Sequence, residues 1–359
     1  MNRRTFLRAG AGVGIAGLAG CAGIFETQSQ STGVPTVVED RPDGVYRPGH
    51  VEGMQMVGTS QSGDYAFGLM YSYAHRFWNV NGNSTSLTEI ADEDDVHLMA
   101  SVWDPETMTV LPETGLSIEI TQDGEVVTQE VIYPMLSQPM GFHYGANFGL
   151  AGDGTYDVTL SVGGMSTRRT GTFEGKFGEP ADATIEFEYS QAARDEISFR
   201  TLEDAGSPGA VSPMEMGMMP NSVAPAVEDL PGTVLGETTS NDAVLVATVL
   251  ETPPSGVDGE GSYLAISART PYNRMVIPAM GMSGTLTRDG ETVFEGELTR
   301  TLDPELHYHY GSVVEGVEDG DELTLSVTTQ PQTARHEGYE TAFGGLMGGM
   351  DDATLTVSR

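Results

Sequence analysis

The sequence predicts an all-β protein of two tandem, immunoglobulin-like, antiparallel β-sandwich domains. The first observation is an internal repeat, because several pairs of identical residues lie 166 positions apart, and a fixed long spacing indicates a duplicated unit. The pairs are Pro112/Pro278, Gly115/Gly281, Asp123/Asp289 and His143/His309. The second observation is that apolar and polar residues alternate over short segments that end at turn sequences, without a helical period. Short strands with frequent turns favour a sandwich.

Residues 1–20 are predicted to be a twin-arginine lipoprotein signal. Arg3 and Arg4 precede an apolar stretch that is shorter than the roughly 20 residues needed to span a bilayer. Residues 18–21 resemble a lipobox, so Cys21, the single cysteine of the chain, is the predicted lipidation site. The alternative is an ordinary cleaved signal with an incidental cysteine. The predicted location is therefore extracytoplasmic, at the cell surface, with a lipid anchor in the membrane.

The charge of the chain restricts its partners. It carries 52 acidic and 17 basic residues, for a net charge of −35. Such an acidic excess resembles the proteins of extreme halophiles, and we interpret it as an adaptation to salt of a haloarchaeal kind. It argues against nucleic acid as a partner, because few cations could neutralise phosphates. A single cysteine also excludes an internal disulfide and a cysteine-rich cluster.

After the signal, the chain divides into four predicted segments. They are a tether (21–47), copy one (48–192), a Met-rich linker (193–238) and copy two (239–359). Each copy exceeds 110 residues, which is enough for a core of its own. In both copies an Asp-Gly pair follows an alternating segment, which is a strong hairpin signal. Farther upstream the offset between the copies grows to about 178, so copy one has roughly a dozen extra residues within 75–95.

Copy one concentrates nitrogen and sulfur donors. His97 lies in a predicted strand with Met99 two residues later, hence on the same face. Met135 leads through a loop to His143. Imidazole and thioether groups suit copper, and imidazole also suits iron and zinc. The alternative is that His143 and its repeat counterpart His309 are structural residues bonded to the backbone.

The two copies differ at these positions. The counterparts of His97 and Met135 in copy two are Tyr263 and Thr301. Copy two instead has His336, which lies opposite Thr170 of copy one. The sequence therefore predicts that soft donors are distributed unequally between the halves.

Four segments of copy one resemble the periplasmic iron-transport protein family. The segments are Asp95–Val102, Tyr133–Met135, His143–Asn147 and Gly154–Tyr156. The resemblance implies a secreted or lipid-anchored immunoglobulin-like protein that binds copper or iron and serves iron uptake. It also implies a membrane transporter or permease for iron as the partner.

The same resemblance implies a ligand set. His97, Met135 and His143 match ligand positions of the family, whereas Met99 stands where the family has a glutamate and Tyr133 where it has a methionine. A thioether in place of a carboxylate would favour Cu(I).

One further family ligand is missing from copy one and present in copy two. His336 in the segment 335–341 matches it. Because the family forms homodimers with metal sites near the interface, we expect the two copies to pack as an intramolecular pseudo-dimer. His336 would then complete the copy-one site.

The linker has a methionine-rich segment, with Met214, Met216, Met218 and Met219 between two prolines. These residues and His309 are possible accessory metal ligands, and the alternative is an adaptable apolar clasp between the domains.

The leading hypothesis is a surface lipoprotein that binds a copper or iron ion and delivers it for uptake. The alternatives are a structural or adhesive lipoprotein without metal and, less favoured because no cysteine is available, an electron-transfer copper protein. We expect no enzyme, since the chain lacks a nucleophile elbow, a phosphate-binding loop and a zinc-hydrolase motif.

Overall fold

The structure is a computed structural model that describes residues 37–346 and 348–359. The predicted signal, the lipidation site Cys21 and most of the tether therefore lie outside the described residues. Within the described ranges, no helix is both long and apolar enough to cross a membrane.

The first half of the chain forms fourteen of the described strands. They are β1 (His50–Glu52), β2 (Gln55–Ser62), β3 (Tyr65–Ser72), β4 (Phe77–Asn81), β5 (Ser84–Thr88), β6 (Val96–Trp103), β7 (Ser117–Gln122), β8 (Glu125–Val131), β9 (Tyr133–Ser137), β10 (Gly141–Phe148), β11 (Gly154–Val162), β12 (Arg168–Arg169), β13 (Ala181–Tyr189) and β14 (Phe199–Thr201). A short helix α1 (Gln191–Asp195) and a 3-10 turn (Gly171–Phe173) connect some of them.

The second half repeats the pattern with ten described strands. They are β15 (Thr233–Ser240), β16 (Ala243–Leu250), β17 (Ser262–Arg269), β18 (Gly281–Arg288), β19 (Glu291–Glu297), β20 (Thr299–Asp303), β21 (His307–Val314), β22 (Glu322–Thr329), β23 (Ala334–Arg335) and β24 (Ala353–Thr356). A second 3-10 turn (Val227–Asp229) precedes them.

Each half is a sandwich of one large sheet and one four-stranded sheet, so the predicted fold class is confirmed. The first large sheet has the order β2-β3-β6-β10-β9-β23-β4-β5 and faces the sheet β13-β11-β7-β8. The second large sheet has the order β12-β20-β21-β17-β16-β15 and faces the sheet β19-β18-β22-β24. Apolar side chains from the facing sheets form a buried core, with Leu98, Ile118 and Val158 in the first half and Leu264, Leu286 and Leu323 in the second. Strands β1 and β14 form a separate two-stranded sheet.

The repeat is visible strand by strand. Strands β6, β9, β10 and β12 recur as β17, β20, β21 and β23 at an offset of 166 residues. Asp123 and Gly124 both have positive φ, at 52° and 81°, and Asp289 and Gly290 repeat these values at 52° and 82°. Two positive φ angles are what a two-residue type I′ hairpin requires, which is why Asp-Gly stands at both turns.

The two halves exchange short strands, and here the expectation of purely antiparallel sheets was incomplete. Strand β23 of the second half pairs in parallel with β9, at Ala334 opposite Met135. Strand β12 of the first half pairs in parallel with β20, at Arg168 opposite Thr301. Each large sheet therefore contains one strand from the other half, in equivalent positions.

The extra residues of copy one form the β4–β5 hairpin. Its Trp78 pairs with Arg335, so the hairpin extends the first large sheet beyond β23. The second large sheet has no such hairpin among its described strands, and β12 forms its edge. As a result β23 is held between two neighbours, whereas β12 has one.

Candidate metal centre

One face of the first large sheet carries the predicted donors of copy one. The register places His143 opposite Met135 across β10 and β9. It places Gly145 opposite Met99, and Asn147 opposite His97, across β10 and β6. Because side chains alternate along a strand, residues two apart share a face, and these side chains all lie on the same one. All of the donors are buried.

The donors of this face meet His336, which follows β23. The Nε2 atom of His336 lies 3.3 Å from the Met135 sulfur. The His336 ring centroid is 5.7 Å from that of His97 and 5.3 Å from that of His143. Among the described residues, the Nε2 atoms of His97 and His143 are buried without a hydrogen-bond partner. The imidazoles of His97, His143 and His336 and the thioether of Met135 therefore lie close together.

Backbone pairing fixes the position of His336. Its amide N–H donates to the Leu136 carbonyl at 3.2 Å, continuing the pairing of β23 with β9. The preceding Arg335 is fully buried, and its guanidinium donates to the carbonyls of Ala342 and Phe343. These hydrogen bonds join the loop after β23 to Arg335, so His336 lies in a segment whose backbone position is fixed.

The structure adds a fourth imidazole, His75, which the sequence analysis did not assign. Ligand atoms of His75, His97 and His336 all lie within 4.8 Å of one another, which makes them a group able to hold a metal ion. The ring of His75 lies 3.9 Å from that of His97 and 4.7 Å from that of His336, between centroids. One sequence signal pointed to it: His75 begins the extra stretch of copy one, the part that copy two lacks.

Hydrogen bonds orient two of the rings with Nε2 toward the centre. His97 Nδ1 lies 2.8 Å from Asn147 Oδ1, and His143 Nδ1 lies 3.1 Å from the Gly141 carbonyl oxygen. Asn147 also donates from Nδ2 to the His75 carbonyl, which leaves its Oδ1 as the acceptor. These oxygens can only accept, so each Nδ1 carries the proton and each Nε2 keeps a free lone pair.

His75 is oriented in the same way by a carboxylate. Its Nδ1 lies 3.2 Å from Glu52 Oε2 and 3.1 Å from the Tyr73 carbonyl oxygen, and its buried Nε2 has no partner in the described part of the chain. Glu52 also contacts His50 Nε2 at 3.0 Å and accepts from Ser72 Oγ at 3.2 Å. A carboxylate behind a histidine fixes the ring and raises its basicity as a ligand.

Glycine makes room at the centre. A Cβ atom on Gly145 would lie 2.7 Å from His97 Nε2 and 3.2 Å from the Met135 sulfur. Any side chain here would fill the space between the donors. Beside them lies a cavity of about 110 Å³, lined among others by Glu52, His75, His143 and His336.

Burial keeps three of the imidazoles neutral. It lowers the pKa of His143 to about 4, and it lowers the pKa values of His97 and His336 well below the ordinary range. Neutral imidazole is the form that binds a metal. For Glu52 burial by itself would raise the pKa, but His75 and His50 outweigh it, so this pKa lies below its usual value.

The remaining predicted donors lie elsewhere. Met99 faces the same side as His97 but packs in a separate buried group with Met216 and Met219. Met218 is 72% exposed and Met214 is half-buried. None of these linker methionines is placed among the imidazoles.

His309 occupies the equivalent point of the second large sheet, where its Nε2 is already paired. It lies 3.0 Å from the Tyr263 hydroxyl. That hydroxyl accepts from Arg168 Nη2 at 2.8 Å, while Arg168 Nε donates to Thr301 Oγ1 at 2.9 Å. A guanidinium from the exchanged strand β12 thus fills the position that the donors of copy one surround.

Comparisons with known proteins give two kinds of match. No curated protein matches the chain. Among solved structures, a copper-bound variant of FetP from uropathogenic Escherichia coli is 22% identical, with a TM-score of 0.29, over 38% of this chain and 97% of that chain. A copper-bound variant of P19 from Campylobacter jejuni is 19% identical, also with a TM-score of 0.29, over 40% of this chain and 98% of that chain.

The family comparison covers most of the described structure. It matches residues 50–186 and 228–356, which include every strand of the two large sheets and all four histidines of the centre. The matched segments make up more than half of the chain, which therefore belongs to the family described as a domain of unknown function, DUF7350.

Proposed function

We propose that this protein binds a copper or iron ion at a centre formed by His75, His97, His143, His336 and Met135, and delivers the ion for uptake. One observation carries the proposal. The Nε2 atoms of His75, His97 and His143 are buried without a hydrogen-bond partner among the described residues. His336 lies beside all three, with a ligand atom within 4.8 Å of those of His75 and His97 and a ring centroid 5.3 Å from that of His143. Buried polar atoms normally have partners, since leaving one unpaired costs about 1–3 kcal/mol. A bound metal ion would satisfy them together.

The donor set favours copper. Imidazole nitrogens and a thioether sulfur are borderline and soft ligands, and no thiolate is available in the described centre. The carboxylate that contacts His75, Glu52, is already engaged by two histidines and a serine hydroxyl. Neutral donors accommodate a monovalent ion without a large change in local charge. Iron is the second candidate, because imidazole also suits Fe(II).

The proposal includes the role of copy two as a built-in partner. His336 comes from the second half, and a tethered partner supplies its ligand without depending on dimerisation. The exchange of β23 and β12 supports this arrangement, since each of these strands pairs with a strand of the other half and so joins the two halves.

We further propose that the protein acts outside the cytoplasm, anchored through Cys21, and hands the ion to a membrane transporter. The sequence of residues 1–21 supports this part. Cys21→Ser should release the protein from membranes into the medium, and unchanged membrane retention would count against the lipid anchor.

Metal titration of the mature chain tests the centre. We expect the imidazole centre to bind about one equivalent of copper, and a His97→Ala/His143→Ala variant to lose that equivalent. His307→Asn is a matched control, because His307 lies outside the centre, and its φ of 56° is one that asparagine tolerates. Circular dichroism would verify that each variant is folded. If the folded double variant binds as many equivalents as the parent at unchanged affinity, the copper lies elsewhere and the proposal is refuted.

A further inference from the structure

A second buried group lies next to the imidazoles on the same sheet face, and it consists mainly of methionine. Its buried members are Ala66, Met70, Met99, Trp103, Met140, Met216 and Met219, with the half-buried Met54 packed against them. We refer to the six methionines as the thioether cluster. It is separate from the main core between the sheets.

Strand register places the thioether cluster directly beside the imidazoles. Met70 lies opposite Met99, and the next pair on this face is Ser72 opposite His97. The two pairs are one alternation step apart, which is about 7 Å along a strand. Met54, Met99 and Met140 also line the cavity that His75, His143 and His336 line. Sulfur and nitrogen donors therefore share one continuous space.

The composition of the cluster differs from that of ordinary packing. Cores are filled mostly by leucine, isoleucine, valine and phenylalanine, and methionine serves as an occasional gap-filler. The main core of this protein follows that rule. In the thioether cluster, by contrast, none of the described buried members is leucine, isoleucine, valine or phenylalanine. Five of its seven buried members carry a thioether sulfur, and only Ala66 and Trp103 do not.

The linker between the halves delivers two of these sulfurs. Met219 lies over Gly68 of β3 so closely that a Cβ on Gly68 would collide with its sulfur. The backbone turns between Met216 and Met219, whose amide donates to the Met216 carbonyl at 3.2 Å. Met218 stands between them and is 72% exposed. The segment therefore presents one thioether to solvent and buries two in the cluster.

We infer that the thioether cluster is a second metal site, specific for a soft monovalent cation, Cu(I). Neutral thioethers select Cu(I) over harder divalent ions. Met216 and Met219 of the cluster flank the exposed Met218 in the chain, and other members share a cavity with the imidazoles. This arrangement suits the cluster to receive the ion and pass it inward. Binding at the cluster stands independently, whereas transfer to the imidazoles rests on the proposed function. The ion remains Cu(I) throughout, so no electron donor is needed.

The test compares Cu(I) uptake by three folded variants of the full chain, each with Cys21→Ser for solubility. Cu(I) would be supplied from its bicinchoninate complex. The parent should bind two equivalents, and Met216→Leu/Met219→Leu should bind one, because leucine conserves volume but removes sulfur. His97→Ala/His143→Ala should retain the equivalent at the cluster. Met280→Leu is the control, since Met280 is buried in the main core.

The outcomes separate this inference from the proposed function. If the Met216→Leu/Met219→Leu variant keeps both equivalents at unchanged affinity, the cluster is packing only and the inference is wrong. If the histidine variant keeps both equivalents, the imidazole centre is wrong while the cluster stands. X-ray absorption of the histidine variant with one Cu(I) gives an independent readout that does not depend on the leucine variant. A sulfur-only shell supports the cluster, and a nitrogen or oxygen shell overturns it.

Discussion

Removing the guanidinium of Arg168 should destabilise the second half of the protein without affecting the imidazole centre. Arg168 belongs to the exchanged strand β12, and its guanidinium makes three hydrogen bonds at the point equivalent to that centre. It donates from Nε to Thr301 Oγ1 at 2.9 Å, and from Nη2 to the Tyr263 hydroxyl and the Gly311 carbonyl, both at 2.8 Å. Arg168→Met removes these bonds and keeps most of the apolar stem.

The expected loss can be estimated from these contacts. Hydrogen bonds to charged groups contribute roughly 1.5–3 kcal/mol each in buried surroundings. Arg168 is half-buried, and the Tyr263 hydroxyl keeps its contact with His309 after the substitution, so each bond counts at or below the low end. At about 1 kcal/mol each, three bonds then give a fall of about 3 kcal/mol in the free energy of unfolding.

Urea unfolding of the parent and the Arg168→Met variant measures this difference, and copper titration of both checks the imidazole centre. The matched control is Arg300→Met in β20, where the arginine is 47% exposed and pairs with Glu113. An exposed ion pair of this kind contributes about 0–1 kcal/mol. If Arg168→Met lowers the free energy of unfolding no more than Arg300→Met does, the Arg168 guanidinium does not stabilise the second half. The view that it takes the place of a metal ion there is then wrong.

Three further predictions concern the imidazole centre. His336→Ala should weaken copper binding more than tenfold in equilibrium titrations, because it removes an imidazole beside the Met135 sulfur; unchanged affinity would show that copy two supplies no ligand. Gly145→Ala should also weaken binding while the fold persists, since its Cβ would lie 2.7 Å from His97 Nε2, and Gly284→Ala is the control because a Cβ there meets its nearest atom at an ordinary 3.5 Å. In the metal-free protein, burial lowers the pKa of His143 to about 4. As the pH falls, His143 is therefore protonated in the unfolded chain before it is protonated in the folded protein. Its contribution to the free energy of unfolding is complete above pH 6.5 and falls by about 1.4 kcal/mol per pH unit toward pH 4. Urea unfolding at several pH values should show a shallower fall for His143→Gln, and equal slopes would contradict the assigned neutral state.

Local patterns in the sequence were sufficient to place two donors on one face. Met99 follows His97 by two residues in a predicted strand, so both side chains lie on the same side of the sheet. The Asp-Gly turns fix the β7–β8 and β18–β19 hairpins, one in each half. These features depend on neighbours along the chain, which is why they could be predicted. Met135 and His143 were predicted as donors, but their place on this face follows from the pairing of β9, β10 and β6.

The contributions of His75 and Glu52 could not be predicted in the same way. Both lie far from His97 along the chain. His75 reaches it because β3 pairs with β6, which places Ser72 opposite His97, and Glu52 contacts both Ser72 and His75. The linker methionines present a similar case. Their spacing indicated a common role, but only the tertiary structure separates the buried Met216 and Met219 from the exposed Met218.

The two halves differ in how the polar atoms of their buried centres are satisfied. A buried polar centre must be satisfied, or it destabilises the fold. Copy two has its centre satisfied by the Arg168 guanidinium, which copy one supplies on the exchanged strand β12, so no metal ion is needed there. It can then hold β23 in place, and His336 stands in position before an ion arrives, which lowers the ordering cost of binding. Among the described residues, the Nε2 atoms of His75, His97 and His143 in copy one have no hydrogen-bond partner, so under the proposed function the cation that satisfies them would be one that can enter and leave. A protein that carries an ion needs this difference between its two centres. A centre whose polar atoms are all satisfied by protein groups could not take up an ion. A second half that needed metal to fold could not hold His336 in place before the ion binds.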